Sequence, residues 1–353
     1  MKVIIFISVF VWSISIYATG LNDSIPEDPY IEYHKNQLNV KFNIENDINT
    51  LHIPFEGKTA KISPNITTRY SLGFNYKFAS VRLGIRTGIS DDAKVNKGET
   101  DVFKFRIGFL FNEWSHKFEY NYIKGFYVKN NEEFEMDDIN DIHYQLPDLK
   151  TNMFSGSSSY KFNKNYSVRA IKSQTEIQIK SAGSFMPGIQ YWLYKIHGSE
   201  KMLNPFKSEQ ERAPYNDFKG FSALLNAGYY HTFVYKKYWY ANVHANAGAG
   251  YDFYNITTYE NNNDYDKSYS DPIFSLQSGF AAGYNSKKYF FGVEWNNRII
   301  KGDIGKQSLD LHTSANSFLV FIGYRFKAPK LISKPIDDLQ EIVPILQDDY
   351  NKN

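Results

Sequence analysis

The stretch ITTRYSLGFNYKF, residues 66–78, sorts its side chains by position. Every even-numbered position except Thr68 is isoleucine, leucine, phenylalanine or tyrosine, whereas the odd-numbered positions are threonine, arginine, serine, glycine, asparagine and lysine. A period of two over thirteen residues predicts a β-strand with one apolar and one polar face. Strands of soluble proteins usually have about 5 or 6 residues, but a tilted strand needs about 9 to 11 to cross a bilayer. The length of this alternation therefore favours a membrane-crossing strand.

The same alternation recurs at residues 101–111, 239–253 and 318–326. Short connections alternate along the chain with long polar ones, as in outer-membrane barrels with tight periplasmic turns and long external loops. An even number of strands is usual for a closed bacterial barrel, and twelve passes can be counted. They are predicted at residues 37–46, 66–77, 80–89, 100–111, 116–128, 151–162, 166–196, 218–234, 238–254, 272–284, 288–299 and 316–326.

The predicted fold class is therefore all-β: an antiparallel transmembrane β-barrel of the outer-membrane type, with about 12 strands. The alternative is a soluble secreted β-sandwich, whose strands alternate in the same way. One pass strains the scheme, because residues 166–196 are too many for a single crossing and Pro187 interrupts them. This segment is predicted to bend, to fold into the lumen or to hide an extra hairpin, which leaves the count at 12 plus or minus 2.

Composition excludes several classes of site and partner. The chain has 353 residues, 17% of them aromatic, at a mean hydropathy of −0.48, and it has no cysteine. Disulfides, thiolate metal sites, cysteine nucleophiles and a lipoprotein anchor are thereby ruled out. Lysine and arginine number 40 against 38 aspartate and glutamate, which is not the basic excess of a nucleic-acid-binding protein.

The N-terminus predicts export. Lys2 precedes an almost wholly apolar segment, residues 3–17, and small residues follow at Ala18 and Gly20. This is the pattern of a secretory signal peptide, residues 1–20, although an uncleaved anchor is the alternative. The remaining plan is an N-terminal periplasmic segment at 21–36, the barrel at 37–326, and a tail at 327–353. The tail is expected to be disordered or periplasmic, with room for a short helix around 336–346.

Several segments resemble a domain-of-unknown-function family of Bacteroidota cell-envelope proteins. The resemblance runs over residues 28–326 and implies an outer-membrane barrel without an established activity. The segments that carry it are Pro64-Asn65, Lys124-Gly125-Phe126-Tyr127, Pro147-Asp148-Leu149, Gln174, Gln178 and Lys180-Ser181-Ala182-Gly183-Ser184-Phe185.

If the aromatic face meets lipid, the opposite face lines the lumen with an excess of positive charge. Such an interior attracts anions; the alternative is that the inward charges pair and plug the barrel. The predicted basic positions are Lys41, Arg69, Arg82, Arg86, Lys104, Arg106, Lys172, Lys180, Arg298 and Arg325, and the acidic ones are Glu45, Glu119, Glu176, Asp252 and Glu294. Further polar candidates are Gln174, Gln178, Asn242, His244 and Asn246.

Small residues at Ser181, Ala182, Gly183 and Ser184 predict a sharp bend that turns the over-long pass into the lumen. Backbone N–H groups there could alternatively hold an anion. Catalysis is weakly indicated, because Ala245 stands where a barrel lipase with His244 would need its serine. The eight histidines have no metal-ligand spacing, so neither metal nor cofactor is expected.

Three functions remain open. The first is a non-enzymatic barrel that passes or binds small solutes, with anions as the candidate class. The second is a structural or interaction barrel with a plugged lumen that acts through its external loops or tail, and the remote third is a lipid-modifying enzyme. The expected partners are outer-membrane lipid, the outer-membrane assembly machinery and a small anionic solute, but not nucleic acid.

Overall fold

A ring of twelve antiparallel strands forms the wall of the molecule. The computed structural model describes residues 29–34, 36–55, 58–66, 68–85, 89–111, 113–134, 142–198, 215–260, 263–302, 312–343 and 346. The wall strands, in ring order, are β2 (Gln37–Phe55), β4 (Arg69–Tyr76), β5 (Ala79–Ile85), β6 (Asp101–Phe111), β7 (Trp114–Val128), β8 (Gln145–Tyr160), β10 (Ala182–His197), β11 (Tyr215–Tyr235), β12 (Trp239–Glu260), β13 (Asn263–Asn285), β14 (Tyr289–Gly302) and β15 (His312–Lys327).

The ring closes where the last strand pairs with the first. This seam runs from Lys327 opposite Gln37 to His312 opposite His52, so no wall strand has a free edge along it. A short strand, β3 (Lys58–Ser63), pairs with the end of β2 and reaches β7 at Val128. The predicted closed barrel of about 12 strands is confirmed.

Apolar side chains point outward and polar side chains point inward. Leu225 is 71% exposed and Ile322 is 61% exposed, whereas Asn39, Asn242 and Arg325 are buried. The β-sandwich alternative required the apolar faces to meet in a core, and it is wrong because those faces lie on the outside of a closed sheet.

The two ends of the barrel differ. At the short-turn end, β4 and β5 are joined through Lys77 and Phe78, and β11 and β12 through residues 236–238. Lys77, Lys236 and Lys237 take positive φ angles in these turns. The opposite end, here called the long-loop end, carries the longer connections, including α1 (Asp91–Lys97) and a 3-10 turn at Asn131–Phe134.

A hydrogen-bonded network orders the wall at the long-loop end. The Asn65 side chain donates to the carbonyls of Ala93 and Gly98, and the Thr100 hydroxyl donates to the Gly125 carbonyl at 2.7 Å. Gly125 has a φ of +86° at a β-bulge, and a Cβ there would lie 2.0 Å from the Glu99 carbonyl oxygen. Only glycine fits this position. The inward side chains around it form an apolar cluster that includes Ala60, Ile62, Ile123, Phe126, Val128, Leu146, Leu149, Ile196, Phe218 and Ile256.

The over-long pass is not one strand. The chain leaves the wall after Tyr160 and re-enters it at Ala182, forming α2 (Val168–Lys172) and β9 (Glu176–Gln178) between them. Strand β9 pairs with β1 (Ile31–Tyr33) in a separate two-stranded sheet.

The tail, expected to be disordered or periplasmic with a short helix around 336–346, forms a helix, α3 (Lys330–Ile342), that starts and ends earlier than expected. It begins three residues after the last wall strand. Lys77 forms a 2.7 Å ion pair with Asp337, and Ile336 packs near Phe78 and Phe111. The helix is ordered because its inner face is covered by two turns of the short-turn end. No helix among the described residues is long and apolar enough to cross a membrane.

Candidate functional site: the plug and the chamber above it

The plug consists of residues 161–181 together with the N-terminal segment 29–34. The Ser167 hydroxyl caps α2 by accepting the Ala170 N–H at 2.9 Å, and it donates to Glu176 at 2.5 Å. The helix ends after one turn because Gln174 adopts a φ of +52°. Ile171 then packs against wall residues Tyr240 and Ala281.

Wall amides bind the plug through its backbone carbonyls. Asn39 on β2 donates to the carbonyls of Ser173 and Gln174 at 3.0 and 2.5 Å. Asn285 on β13 donates to the carbonyls of Ala170 and Glu176 at 3.2 and 3.0 Å. The plug's own backbone carbonyls accept these bonds. The bonds therefore fix the backbone conformation of the plug as well as the positions of its side chains.

Arg325 on β15 makes the densest contact with the plug. Its Nε donates to the Gln174 carbonyl at 2.9 Å, and its other nitrogens donate to the same carbonyl, to Asn285 Oδ1 and to the Ser286 carbonyl. The guanidinium lies over the Phe290 ring at 5.0 Å. Arg325 and Asn39 are directly opposite each other across the seam, so Gln174 binds the first and the last wall strands at once.

Further contacts join the plug to other sides of the wall. Arg169 donates to the Leu110 carbonyl at 2.9 Å and pairs with Glu176 at 3.1 Å. Asn242 donates to the Tyr166 hydroxyl at 3.1 Å. Burial raises the pKa of Tyr166 above its usual range, so this hydroxyl stays neutral.

The N-terminal segment packs beside these residues. Glu32 forms ion pairs with Lys237 at 3.0 Å and Lys287 at 3.8 Å, both in short turns. His34 is mostly buried, and this burial, with the positive charges of Arg325 and Lys287, lowers its pKa to about 4. His34 is therefore neutral at pH 7.

The small residues at 181–184 mark the point where the chain returns to the wall. Asn163 donates its side-chain N–H to the Gly183 carbonyl, and its backbone N–H to the Ser184 hydroxyl at 3.0 Å. The Ser181 hydroxyl accepts the Val234 N–H at 2.9 Å. These N–H and hydroxyl groups serve the turn itself.

Above the plug lies a chamber with an excess of positive charge. Arg82 and Arg106 are directly opposite each other on β5 and β6, with Glu119 next to Arg106 on β7. Arg106 pairs with Glu119 at 2.6 Å, and Arg82 pairs with Glu45 at 3.0 Å. Like charges placed directly opposite in a sheet repel each other, so this arrangement needs compensating anions.

Two lysines project into the chamber. Lys172, the last residue of α2, and Lys117 on β7 both have exposed side chains, although they lie inside the ring. Lys172 interacts electrostatically with Lys41 and Glu294, and Lys117 with Arg298 on the opposite wall. In the described part of the chain, no ion pair within 4.0 Å involves either ammonium group.

Cations outnumber carboxylates in the described part of the chamber, eight to three. The carboxylates Glu45, Glu119 and Glu294 pair with arginine and lysine side chains around them. The cations are Lys41, Arg69, Arg82, Lys104, Arg106, Lys117, Lys172 and Arg298. The space between Arg69, Arg82, Lys104, Arg106 and Glu45 is about 10 Å³, enough for about one water-sized group.

The far side of the lumen carries fewer charges. The Arg298 guanidinium lies 5.4 Å from the centre of the Trp192 ring, and the side chains of Gln190 and Gln277 bond across the lumen at 2.8 Å. Asp252 accepts hydrogen bonds from Tyr194 and Ser222 at 2.9 and 2.8 Å. The positive charge is thus concentrated on the wall formed by β2 to β7.

The structure divides the predicted lumen residues into separate groups. The chamber is surrounded by Arg69, Arg82, Lys104, Arg106, Lys172, Arg298 and Glu294. The plug contains Gln174, Glu176 and Gln178, and Arg325 binds it from β15. The residues that point inward from β12 are Asn242, His244, Asn246 and Asp252. Lys180, also predicted to face the lumen, has an exposed side chain, and its ammonium group lies 5.6 Å from the centre of the Tyr30 ring in the plug's N-terminal segment. Arg86 lies outside the described residues.

One chamber residue was missed. Lys117 belongs to the alternation of residues 115–123, in which Glu119 and Asn121 also point inward. The period of two therefore already indicates that Lys117 points into the lumen. His244, considered for catalysis, stacks on Tyr230 at 4.8 Å, and Ala245 points away from the lumen. No group of three or more His, Cys, Asp or Glu side chains that could hold a metal occurs among the described residues.

Comparison with solved structures finds other barrels at low similarity. The outer membrane protease OmpT of Escherichia coli is 11% identical, with 84% of this chain and 98% of that chain covered, at a TM-score of 0.34. The translocator domain of the autotransporter NalP from Neisseria meningitidis is 12% identical, with 83% and 90% covered, at a TM-score of 0.36. The Pseudomonas putida toluene transporter TodX is 9% identical, with 86% and 90% covered, at a TM-score of 0.29.

At these TM-scores the likeness gives no information on function. No curated protein matches the chain. A family model does match, over residues 22–326, and its description is "Domain of unknown function (DUF4421)".

Proposed function

Because the chain belongs to the DUF4421 family, whose description specifies no activity, we propose a function from the barrel itself: a non-enzymatic outer-membrane barrel that binds small anions in a cationic chamber. The plug closes this chamber towards the short-turn end. The observation that carries the proposal is that Arg82 and Arg106 lie directly opposite each other on neighbouring strands, beside Lys117, whose ammonium group has no ion-pair partner within 4.0 Å in the described part of the chain.

Location in an outer membrane is supported by the outer surface. Exposed apolar side chains cover neighbouring strands all around the ring, among them Phe42, Leu225, Phe253, Leu276 and Ile322. In water such a surface would cost about 25 cal/mol for each Å² left exposed, and lipid removes that cost. An export signal at residues 1–20 fits this location.

Anion binding is supported by electrostatics in a confined space. Removing a cation from water is unfavourable unless an opposite charge or hydrogen-bond acceptors replace the water. Among the described residues the chamber has eight cations and three carboxylates, and a small anion bound there offsets the excess positive charge. The amides and Arg325 hold the plug in place, so the anion exchanges through the long-loop end, and passage across the membrane requires the plug to move.

The test uses the absence of cysteine from the chain. Lys117→Cys places a single thiol in the chamber, and its reaction rates with anionic and cationic methanethiosulfonate reagents are compared in the folded barrel. We expect the anionic reagent to react about tenfold faster or more, because a positive potential concentrates anions. Inorganic phosphate should slow this reaction.

Two double variants complete the experiment. Arg82→Gln with Arg106→Gln should bring the two rates close together, whereas Lys164→Gln with Lys236→Gln removes the same charge at the exposed short-turn end and should leave the ratio unchanged. Equal rates in the parent thiol variant would contradict the anion-binding function. Failure of both reagents to react would contradict solute access from the long-loop end.

A second candidate, an interaction barrel acting through its tail, is favoured by helix α3. Leu331, Leu339 and Ile342 share one side of this helix and are 88%, 45% and 76% exposed. A photo-crosslinking residue at position 339 should yield one discrete adduct in cells if this stripe binds an envelope protein. The same residue at Lys334 is the control, and equal crosslinking at both positions would count against the candidate.

A further inference from the structure

A groove crosses the outer surface of the barrel on the side opposite the seam. Its volume is about 820 Å³, and residues of six neighbouring strands, β7, β8 and β10 to β13, line it. Most of them contribute outward side chains, whereas Tyr194, Tyr254 and Tyr269 point inward from the wall beneath it. This volume lies within the range of small-molecule binding sites, roughly 300 to 1,000 Å³. A convex barrel wall needs no groove of this size. The residues that line the groove therefore indicate which kind of ligand the groove can hold.

The lining is divided into two rows by the strand register. Residues directly opposite each other on neighbouring strands share a face, and the registers therefore align each row across the sheet. The apolar row is Tyr120, Phe154, Leu193, Phe221 and Phe253; the polar row, one step closer to the long-loop end, is Asn152, Lys195, Lys219, Asn255 and Ser268.

The polar row contains a pair of like charges. Lys195 and Lys219 are directly opposite each other on β10 and β11, and both side chains are exposed. None of the described residues that line the groove is a carboxylate. Asp217, from the next row towards the loops, lies 3.5 Å from Lys195 but also contacts His197. In the part of the chain that the structure describes, Lys219 has no ion-pair partner within 4.0 Å.

We propose that this groove binds an anionic membrane lipid. Its phosphate lies between Lys195 and Lys219, where one anion relieves the repulsion of both ammonium groups, and Asn152 and Asn255 donate further hydrogen bonds. Its acyl chains lie along the apolar row, where Leu193 and Phe253 are 40% and 50% exposed. The adjoining polar and apolar rows match a lipid headgroup and its acyl chains. A soluble anion would contact only the polar row.

Native mass spectrometry of the full-length barrel tests this inference. The protein is purified in detergent and mixed with equal amounts of phosphatidylglycerol and phosphatidylcholine of the same chain length. We expect phosphatidylglycerol adducts to exceed phosphatidylcholine adducts. Lys195→Gln with Lys219→Gln should reduce this preference by about 25-fold, since each basic side chain near a membrane surface contributes about fivefold to anionic lipid binding.

The control variant, Lys236→Gln with Lys301→Gln, removes two lysines outside the groove and should leave the preference unchanged. An equal loss in both double variants, or no preference in the wild type, would overturn the inference. Displacement of phosphatidylglycerol by equimolar glycerol 3-phosphate would do the same, because the chains would then contribute nothing. The inference rests on the membrane location proposed above, and heat-dependent electrophoretic mobility measures folding and insertion separately from lipid selection.

Discussion

Replacing Arg325 by methionine should loosen the plug without opening the wall. Arg325 is 2% exposed and donates to two backbone carbonyls and one amide oxygen. Methionine keeps most of the apolar stem over Phe290 but leaves the Ser286 carbonyl and Asn285 Oδ1 without this donor. The Gln174 carbonyl keeps its bond from Asn39.

The expected magnitude follows from these counts. The plug loses the hydrogen bonds that the guanidinium donates to the Gln174 carbonyl, and a hydrogen bond from a charged group contributes about 1.5 to 3 kcal/mol. A weakening of plug attachment by this amount corresponds to an increase of roughly 10- to 150-fold in the population of the detached plug. The strand ladder of the wall does not change, so thermal unfolding of the barrel should shift much less than plug attachment.

The assay again uses a single thiol. Ser173→Cys lies in the plug at a position that is 2% exposed, so its labelling rate by a small reagent reports plug detachment. Arg325→Met should raise that rate by the factor given above, and planar-bilayer conductance should rise with it. Lys327→Met, on the same strand but exposed, is the matched control. An unchanged labelling rate in the Arg325→Met variant would refute the role of Arg325 in holding the plug.

Three further predictions concern other parts of the molecule. The pKa of His34 is about 4 in the folded protein against 6.5 in the unfolded chain, so its contribution to stability is complete above pH 6.5 and is lost as pH falls towards 4. At pH 5 the loss is roughly 2 kcal/mol. The labelling rate of Ser173→Cys, divided by that of a free thiol at the same pH, should rise between pH 7 and pH 5 but not in a His34→Asn background. Gly125→Ala should destabilise the barrel by about 2 to 4 kcal/mol because of its positive φ and the contact with the Glu99 carbonyl, whereas Gly73→Ala, with its nearest contact at 3.5 Å, should change denaturant midpoints little. Asp337→Asn breaks an ion pair with Lys77 that is only partly buried, so it should weaken docking of helix α3 by about 1 kcal/mol or less, measured as protease cleavage between residues 327 and 330.

Periodicity predicted the wall well because each wall strand has lipid on one side and the lumen on the other. Residues 101–111 were predicted as part of a pass at 100–111, and the last strand at 316–326 lies within His312–Lys327. Strands β11, β12 and β13 extend beyond their predicted ends, since hydrogen bonding continues after the apolar alternation stops.

The plug could not be derived in the same way. Lys172, Gln174, Glu176, Gln178 and Lys180 alternate as a wall strand would, yet the first ends a helix and the second takes a positive φ. A strand buried inside a barrel and a strand in its wall have the same period. The segment's excessive length and Ser181-Ala182-Gly183-Ser184 were the available signals, and they indicated a bend without its partners.

The tail helix was expected only around 336–346, and its true start at Lys330 was missed for another reason. Pro335 lies inside α3, and Asp337, Asp338 and Glu341 make the tail read as a solvated segment. Its order depends on the turns at Lys77 and Phe78, which are distant in sequence. The segments that carried the family resemblance lie in two places. Asn65 and Gly125 belong to the hydrogen-bonded network at the long-loop end, and Gln174 and Gln178 belong to the plug.

The position of Gln174 on the seam has a consequence for assembly. Asn39 is made early and Arg325 late in synthesis, and both bind the carbonyl of a residue from the middle of the chain. The plug is covalently continuous with β8 and β10, so it stays beside the lumen while the ring closes. Because Gln174 binds both terminal strands, a seated plug stabilises their pairing and favours the closed ring over an open sheet.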